Sequence, residues 1–278
     1  MGEARQISGI HELVVVEGRD ARSFLDGLVS QDLSTLHPTK PVRSFLLAPQ
    51  GKLRGMLWIT GEGERVDLVT DAGWGKKMAD DLAHYKIRVK ATISEPVPVI
   101  TIVGPDLAYT FLPPGSEASR FSPQGAKRPL GGVPRKGKGG WGSTPKGEGG
   151  LDLPELSFDE WNAIRIEAGE PVMGIDVDEA TIPQETGLVE AAVSFSKGCF
   201  LGQELVARLD SRNGRVNRHL RRVRLEQLPS LPAAVADDGG SITSAASTAE
   251  GAIGLGLLHR RINPGDEIRA GGVRAVVL

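Results

Sequence analysis

Lys197-Gly198-Cys199-Phe200-Leu201-Gly202-Gln203-Glu204, continued by Leu205-Val206-Ala207-Arg208, is the stretch around which the chain is organised. It holds the single cysteine of the protein, a lysine two residues earlier, and two glycines that allow close backbone approach. A thiol reacts as thiolate, and a nearby cation favours that form. The competing reading is a small buried hydrophobe, the usual state of a lone cysteine. The run from Gln203 predicts a helix through Leu209, ending near Asn213-Gly214.

This stretch resembles the signature of the YgfZ family of folate-binding proteins, relatives of the glycine-cleavage T-protein, an aminomethyltransferase. Two further stretches carry the likeness. Arg165-Ile166-Glu167-Ala168-Gly169-Glu170-Pro171, with Gly174, Asp176 and Pro183-Gln184-Glu185, resembles the central motif of that superfamily. Gly18-Arg19-Asp20-Ala21-Arg22-Ser23-Phe24-Leu25, with Ser30-Gln31-Asp32, resembles its N-terminal opening. The resemblance implies an α+β, T-protein-like fold. Two interleaved subdomains over residues 1–215 would surround a central cavity, and a C-terminal β-barrel would occupy 216–278.

The resemblance also implies tetrahydrofolate as ligand and service to iron-sulfur client or scaffold proteins, a tRNA-modifying enzyme among them. Carried onto this sequence, Cys199 and Lys197 form the reactive pair. Gly198, Gln203, Glu204, Arg208, Arg165, Glu167, Gln184 and Trp161 form the folate-binding set. Trp161 stands where the T-proteins place an arginine on folate; an aromatic ring stacks on a pterin but supplies no bidentate fork. After Gly51 the T-proteins carry an aspartate pair that acts at the folate nitrogen, whereas this chain reads Leu53-Arg54-Gly55-Met56-Leu57. With no carboxylate at Gly55 or Met56, the resemblance points to a folate-dependent accessory protein. A one-carbon transferase or demethylase, and an RNA-binding protein without folate, stand as the alternatives.

Composition sets outer bounds. The 278 residues suffice for one large core or a few modest domains, and a formal charge of −2 gives no global attraction to nucleic acid. The N-terminus lacks an apolar signal core and no run approaches a membrane span, so a cytoplasmic protein is expected, with no membrane contact. One cysteine makes neither an internal disulfide nor a four-thiolate metal site, and His11, His37, His84, His219 and His259 have no ligand spacing. No resident metal is expected; a transient iron-sulfur cluster would be shared with a partner or second subunit. Asp176-Val177-Asp178-Glu179 matches no calcium loop and reads as a capping or surface segment.

Periodicity predicts strands over 11–17, 44–48, 53–60, 65–70, 86–93 and 97–103, the last opening a second unit with 108–112. Helices are predicted over 21–29, capped by Asp20, and over 75–85. Ser157 with Glu160 has capping-box spacing before a third helix, and 189–195 reads as a strand. From Pro113 to Gly150 the chain is glycine-rich and basic, either a solvated mobile loop or an anion or RNA contact using Trp141. Seven arginines between Arg208 and Arg224 suit a solvated strand face, a polyglutamate tail of folate, or tRNA.

Overall fold

The computed structural model describes residues 3–112, 153–211 and 215–278. The glycine-rich stretch 113–150 and Arg212 fall outside the described residues. Strand β1 (Arg5–Glu17) is the spine of the first sheet because its thirteen residues offer two long edges. Its second half, from His11, pairs with β4 (Arg65–Asp71), and its first half pairs with β6 (Val97–Val103) across a bulge between Ser8 and Glu12. With β2 (Val42–Leu47), β3 (Leu53–Glu62) and β7 (Tyr109–Leu112), the order is β2-β3-β4-β1-β6-β7, and the short β5 (Thr92–Ile93) also pairs with β1. The strands over 97–112 therefore extend the first sheet, correcting the expectation that they open a second unit.

Alternation along these strands makes both faces apolar. Val14, Val16, Leu57, Ile59 and Leu68 pack under α1 (Ala21–Asp26) and α2 (Gly75–Tyr85). Leu13, Trp58 and Val69 face the other way, toward α3 (Phe158–Ala168). The Ser157 side chain accepts from the Glu160 N–H, and the Glu160 carboxylate accepts from the Ser157 N–H, so the capping box forms as expected.

Three local expectations are corrected. Helix α1 stops at Asp26 rather than Val29, and the carbonyls of Asp26 and Val29 at this end accept from Lys197. Asp20 does not cap it; its carboxylate accepts from the Lys90 N–H at 2.8 Å. The strand over 86–93 shrinks to Thr92–Ile93, since Arg88 has φ +58°, outside the extended region. Residues 189–195 are not a strand. Val189–Ala192 form the one-turn helix α4, and the side chains of Gln31 and Ser30 take the carbonyls of Ala191 and Ala192.

The chain continues through α5 (Gln203–Asp210) into a closed antiparallel barrel. Its strands are β8 (Arg218–Leu225), β9 (Ala233–Val235), β10 (Gly240–Thr248), β11 (Gly251–His259), β12 (Glu267–Ala270) and β13 (Val273–Val277). They close in the order β10-β11-β8-β13-β12-β9 around Val223, Leu225, Ile242, Leu258 and Val277. Ile166 of α3 packs on Ala246, Ile253 and Leu255, joining barrel to sheet. Between them, where a cavity is expected, lie α3 and a cluster of aromatic and polar side chains. Open clefts of about 810 Å³ and 510 Å³ run along α3 and share Arg5 and Glu167, but Trp161, Arg165 and Cys199 line neither.

Candidate functional site

Cys199 is a free, exposed thiol. Its loop is sewn onto the end of α1. The Ser194 N–H donates to the Ser30 carbonyl at 2.9 Å, and the Leu201 N–H donates to the Gly27 carbonyl at 3.0 Å. Between these anchors the Lys197 side chain, 2% exposed, turns inward. Its ammonium donates to the carbonyls of Asp26 (2.6 Å), Val29 (3.0 Å) and Gln31 (2.9 Å), with the Asp26 carboxylate 3.0 Å away. Phe200 follows Cys199 into an apolar cluster with Phe45, Met56, Val193 and Val206.

Two glycines let this loop meet the β2–β3 turn. Gly202, the N-cap of α5, has φ +77°, and a Cβ there would stand 2.5 Å from the Ala48 carbonyl oxygen. Gly51 has φ +78°, and a Cβ there would stand 2.6 Å from the Leu205 Cβ. Side chains rarely adopt that conformation and neither position has room for one. The structure thus joins two stretches singled out in the sequence, the cysteine loop and the hairpin at Gly51. Ser30 and Gln31 of the N-terminal motif join them: the Ser30 hydroxyl donates to the Ala192 carbonyl at 2.6 Å and accepts from the Phe45 N–H at 2.8 Å. At the hairpin itself Gly55 and Met56 are buried, and Arg54 is held by the carboxylates of Asp81 and Glu179.

The remaining motif residues lie apart from the thiol. Arg165 and Trp161, on α3, are 1% and 3% exposed. Arg165 donates to Asp176 at 2.7 Å, Ser244 at 2.7 Å and the Glu170 carbonyl at 3.1 Å. Asp176 also accepts from Thr243, Ser244 and the Val172 N–H. One ion pair therefore fastens α3, the 170–177 turn and the barrel, and Asp176 is a buried fastener rather than a surface residue. The Trp161 indole N–H donates to the Tyr109 hydroxyl at 3.3 Å.

Beside this fastener sits a cluster that the sequence reading did not single out. His11 on β1 pairs in register with Asp71 on β4, and its Nδ1 lies 2.9 Å from the Thr101 hydroxyl. The rings of Trp58, Tyr109, Phe111 and Trp161 surround it edge-on. Burial, then the charge of Arg43, lowers His11 from 6.5 to about 3. Burial raises Asp71 from 3.8 to about 7, against the Met173 N–H that its carboxylate accepts. Arg43 lies 4.1 Å over the Trp58 ring and pairs with Glu170. The available signal was a lone histidine just before the apolar run Leu13-Val14-Val15-Val16.

Gln184 donates to the Val206 carbonyl at 3.0 Å, tying the 3-10 turn Pro183–Glu185 to α5. Glu185 beside it accepts a bidentate pair from Arg218 at 3.0 and 3.1 Å. Gln203 accepts from the Phe200 N–H at 3.3 Å, which closes the turn before α5. Gly198, Glu204, Arg208 and Glu167 are exposed, and the Glu167 carbonyl accepts from Arg222. Gly198, Gln203 and Glu204 thus lie near the thiol along the chain, while Trp161, Arg165 and Glu167 belong to α3. The arginine segment divides likewise: Arg218 and Arg222 hold structure, and Arg208, Arg215 and Arg224 are exposed.

Tetrahydrofolate, implied by the resemblance, meets a mixed set of residues. Trp161 and Arg165 are sealed, with the indole N–H and both guanidinium Nη groups already engaged in the core. The buried side-chain atoms without a hydrogen-bond partner among the described residues are Arg43 Nη2, Arg165 Nε, Gln184 Oε1 and Arg221 Nε. An acceptor of this kind suits a pterin N–H, and donors of this kind suit its carbonyl or a glutamate tail. The donor and acceptor types suit the group, but the four atoms sit on β2, α3, the 3-10 turn and β8 and line neither cleft. Among the described residues no group of three or more His, Cys, Asp and Glu side chains could hold a metal ion, and no helix is long and apolar enough to cross a membrane.

No family model matches the chain. The mouse protein named iron-sulfur cluster assembly factor IBA57, mitochondrial, is 28% identical over 279 residues, covering 89% of this chain and 75% of that protein. The tRNA-modifying protein YgfZ of Shigella dysenteriae is 25% identical over 223 residues, 70% of this chain and 64% of its own length. The YgfZ protein of Yersinia enterocolitica is 48% identical over a stretch of 50 residues, 18% of this chain and 15% of that one. Among solved structures, the glycine cleavage system aminomethyltransferase T of Bartonella henselae superposes with a TM-score of 0.72 at 18% identity, over 100% of this chain and 85% of that one. The closed terminal barrel and these likenesses agree: the chain is a homologue of the IBA57 and YgfZ proteins, carried on the fold of the glycine-cleavage aminomethyltransferase.

Proposed function

We propose that the protein is a folate-binding accessory factor that serves iron-sulfur enzymes by presenting the Cys199 thiol to a client or scaffold protein. The observation that carries this reading is the exposure of that one thiol on a loop whose flanks are pinned and whose next residue is buried. A thiolate so placed is a soft ligand able to hold one coordination position of a cluster while a second protein holds the others. The names of its homologues, an iron-sulfur cluster assembly factor and a tRNA-modifying protein, support the same service. Arg43, Arg165, Gln184 and Arg221 are the residues whose unpartnered polar atoms would hold the folate, which would supply one-carbon or redox chemistry when bound. An exposed, functional thiol suits a reducing compartment such as the cytoplasm.

The transferase reading is weaker, since neither Gly55 nor Met56 supplies a carboxylate. A tRNA contact rests on the exposed Arg208, Arg215 and Arg224 and is secondary.

The test reconstitutes an apo iron-sulfur enzyme with ferrous iron and sulfide, with and without this protein and tetrahydrofolate, under anaerobic conditions. Wild-type protein accelerates recovery and Cys199→Ala does not. Equal recovery with Cys199→Ala would remove the thiol from the function. Calorimetric titration with tetrahydrofolate at two salt concentrations judges the ligand separately: saturable one-to-one binding supports it, and no heat at high micromolar ligand overturns it.

A further inference from the structure

We propose that Lys197 is a positioning residue for the thiol, acting as a three-point anchor on the backbone and not as a cation that activates Cys199. This deepens the function proposed above and rests on it for the client readout alone. A lysine two residues from a cysteine invites the electrostatic reading. The geometry speaks against it. The Lys197 side chain is 2% exposed whereas Cys199 is exposed, so the two side chains leave the backbone toward different surroundings. An ammonium has three N–H donors, and here the carbonyls of Asp26, Val29 and Gln31 accept at 2.6, 3.0 and 2.9 Å. The Asp26 carboxylate at 3.0 Å balances the charge. No donor remains for a thiolate.

The same contacts explain why an ammonium stands there. The end of a helix leaves carbonyls without internal partners and carries partial negative charge. Carbonyls from α1 and the turn after it converge on one nitrogen, a geometry that a tetrahedral ammonium satisfies and a planar guanidinium fork does not. Ser194 and Leu201 bond to the same turn on either side. Cys199 therefore projects from a loop held at 194, 197 and 201, and Lys197 supplies the middle point. The loop presents its thiol in one place because the lysine is spent underneath it.

The experiment uses the full reduced protein, wild type and with Lys197→Met or Lys197→Arg. Iodoacetamide alkylation of Cys199 is followed against pH. The expected result is the same titration midpoint in all three proteins, a limiting rate raised severalfold in both variants as the loop loosens, and loss of client recovery in both. A midpoint that rises by about one unit in Lys197→Met while Lys197→Arg keeps the wild-type midpoint and client recovery overturns the proposal. Amide hydrogen exchange on the wild type tests the anchor even where a variant does not fold. Slow exchange at Ser194 and Leu201 with fast exchange at Gly198 and Cys199 supports pinning, and uniformly fast exchange across 194–201 refutes it. If Cys199→Ala proves fully active toward the client, the accessory function fails, and the alkylation profile still decides the role of Lys197.

Discussion

The cysteine loop and helix α3 carry stretches of equal prominence in the sequence, yet the molecule uses them in opposite ways. Around Cys199 the backbone is pinned so that a side chain can stay outside. Around Arg165 the backbone is ordinary helix and the side chain is drawn wholly inside, where one guanidinium joins helix, turn and barrel. A motif therefore does not announce whether its residues face a partner or the core. Charge makes the point sharply, because both Lys197 and Arg165 are cations of a functional-looking motif and both are buried structural fasteners.

The largest effect that separates the two regions is expected at Arg165. Arg165→Met leaves Asp176 as an unpaired buried charge and should cost about 3–5 kcal/mol in urea unfolding. A loss below about 1 kcal/mol, the scale of an exposed pair, would show that the ion pair is not the fastener. Gly202→Ala comes next. It forces a side chain into φ +77° against the Ala48 carbonyl, at about 1–3 kcal/mol of backbone strain, and faster alkylation of Cys199 should accompany the lower Tm.

The buried pair beside Arg165 gives a pH-dependent comparison. Asp71 has its value raised to about 7, so its contribution to stability is complete below about pH 4 and lost as pH rises through 7. His11 is lowered to about 3, so its contribution is complete above about pH 6.5 and lost as pH falls through 3. The two trends oppose one another between about pH 4 and 6.5. Removing one exposes the other: in Asp71→Asn stability should rise with pH over that interval, and in His11→Gln it should fall, each by up to about 1.4 kcal/mol per pH unit. Thermal unfolding across the interval reads this directly, and flat profiles in both variants would show that neither group titrates as described.

The smallest effect on stability is expected at the thiol. Cys199→Ser should change unfolding free energy by no more than about 0.5 kcal/mol, because an exposed side chain packs on little. A loss of several kcal/mol would return Cys199 to the class of buried hydrophobes.

Features set by neighbours in the chain were legible beforehand. The Ser157–Glu160 capping box, the hairpin at Gly51, helix Gly75–Tyr85 and the alternating strands depend on contacts a few residues apart, and the sequence carries them openly. The strand expected over 189–195 failed for the opposite reason. Its backbone carbonyls are claimed by Ser30 and Gln31, about 160 residues away, and no local pattern records such a claim.

By itself the sequence determined that one thiol stands in a glycine-flanked loop and which stretches resemble a known family, and that resemblance implied the terminal barrel. Only the tertiary structure decided which way the charged members of those stretches face. Lys197 finds its acceptors 166 to 171 residues earlier, and Arg165 finds Ser244 79 residues later. A buried cation is stable only where converging acceptors offset its lost hydration, and that convergence exists only once the distant segments have come together.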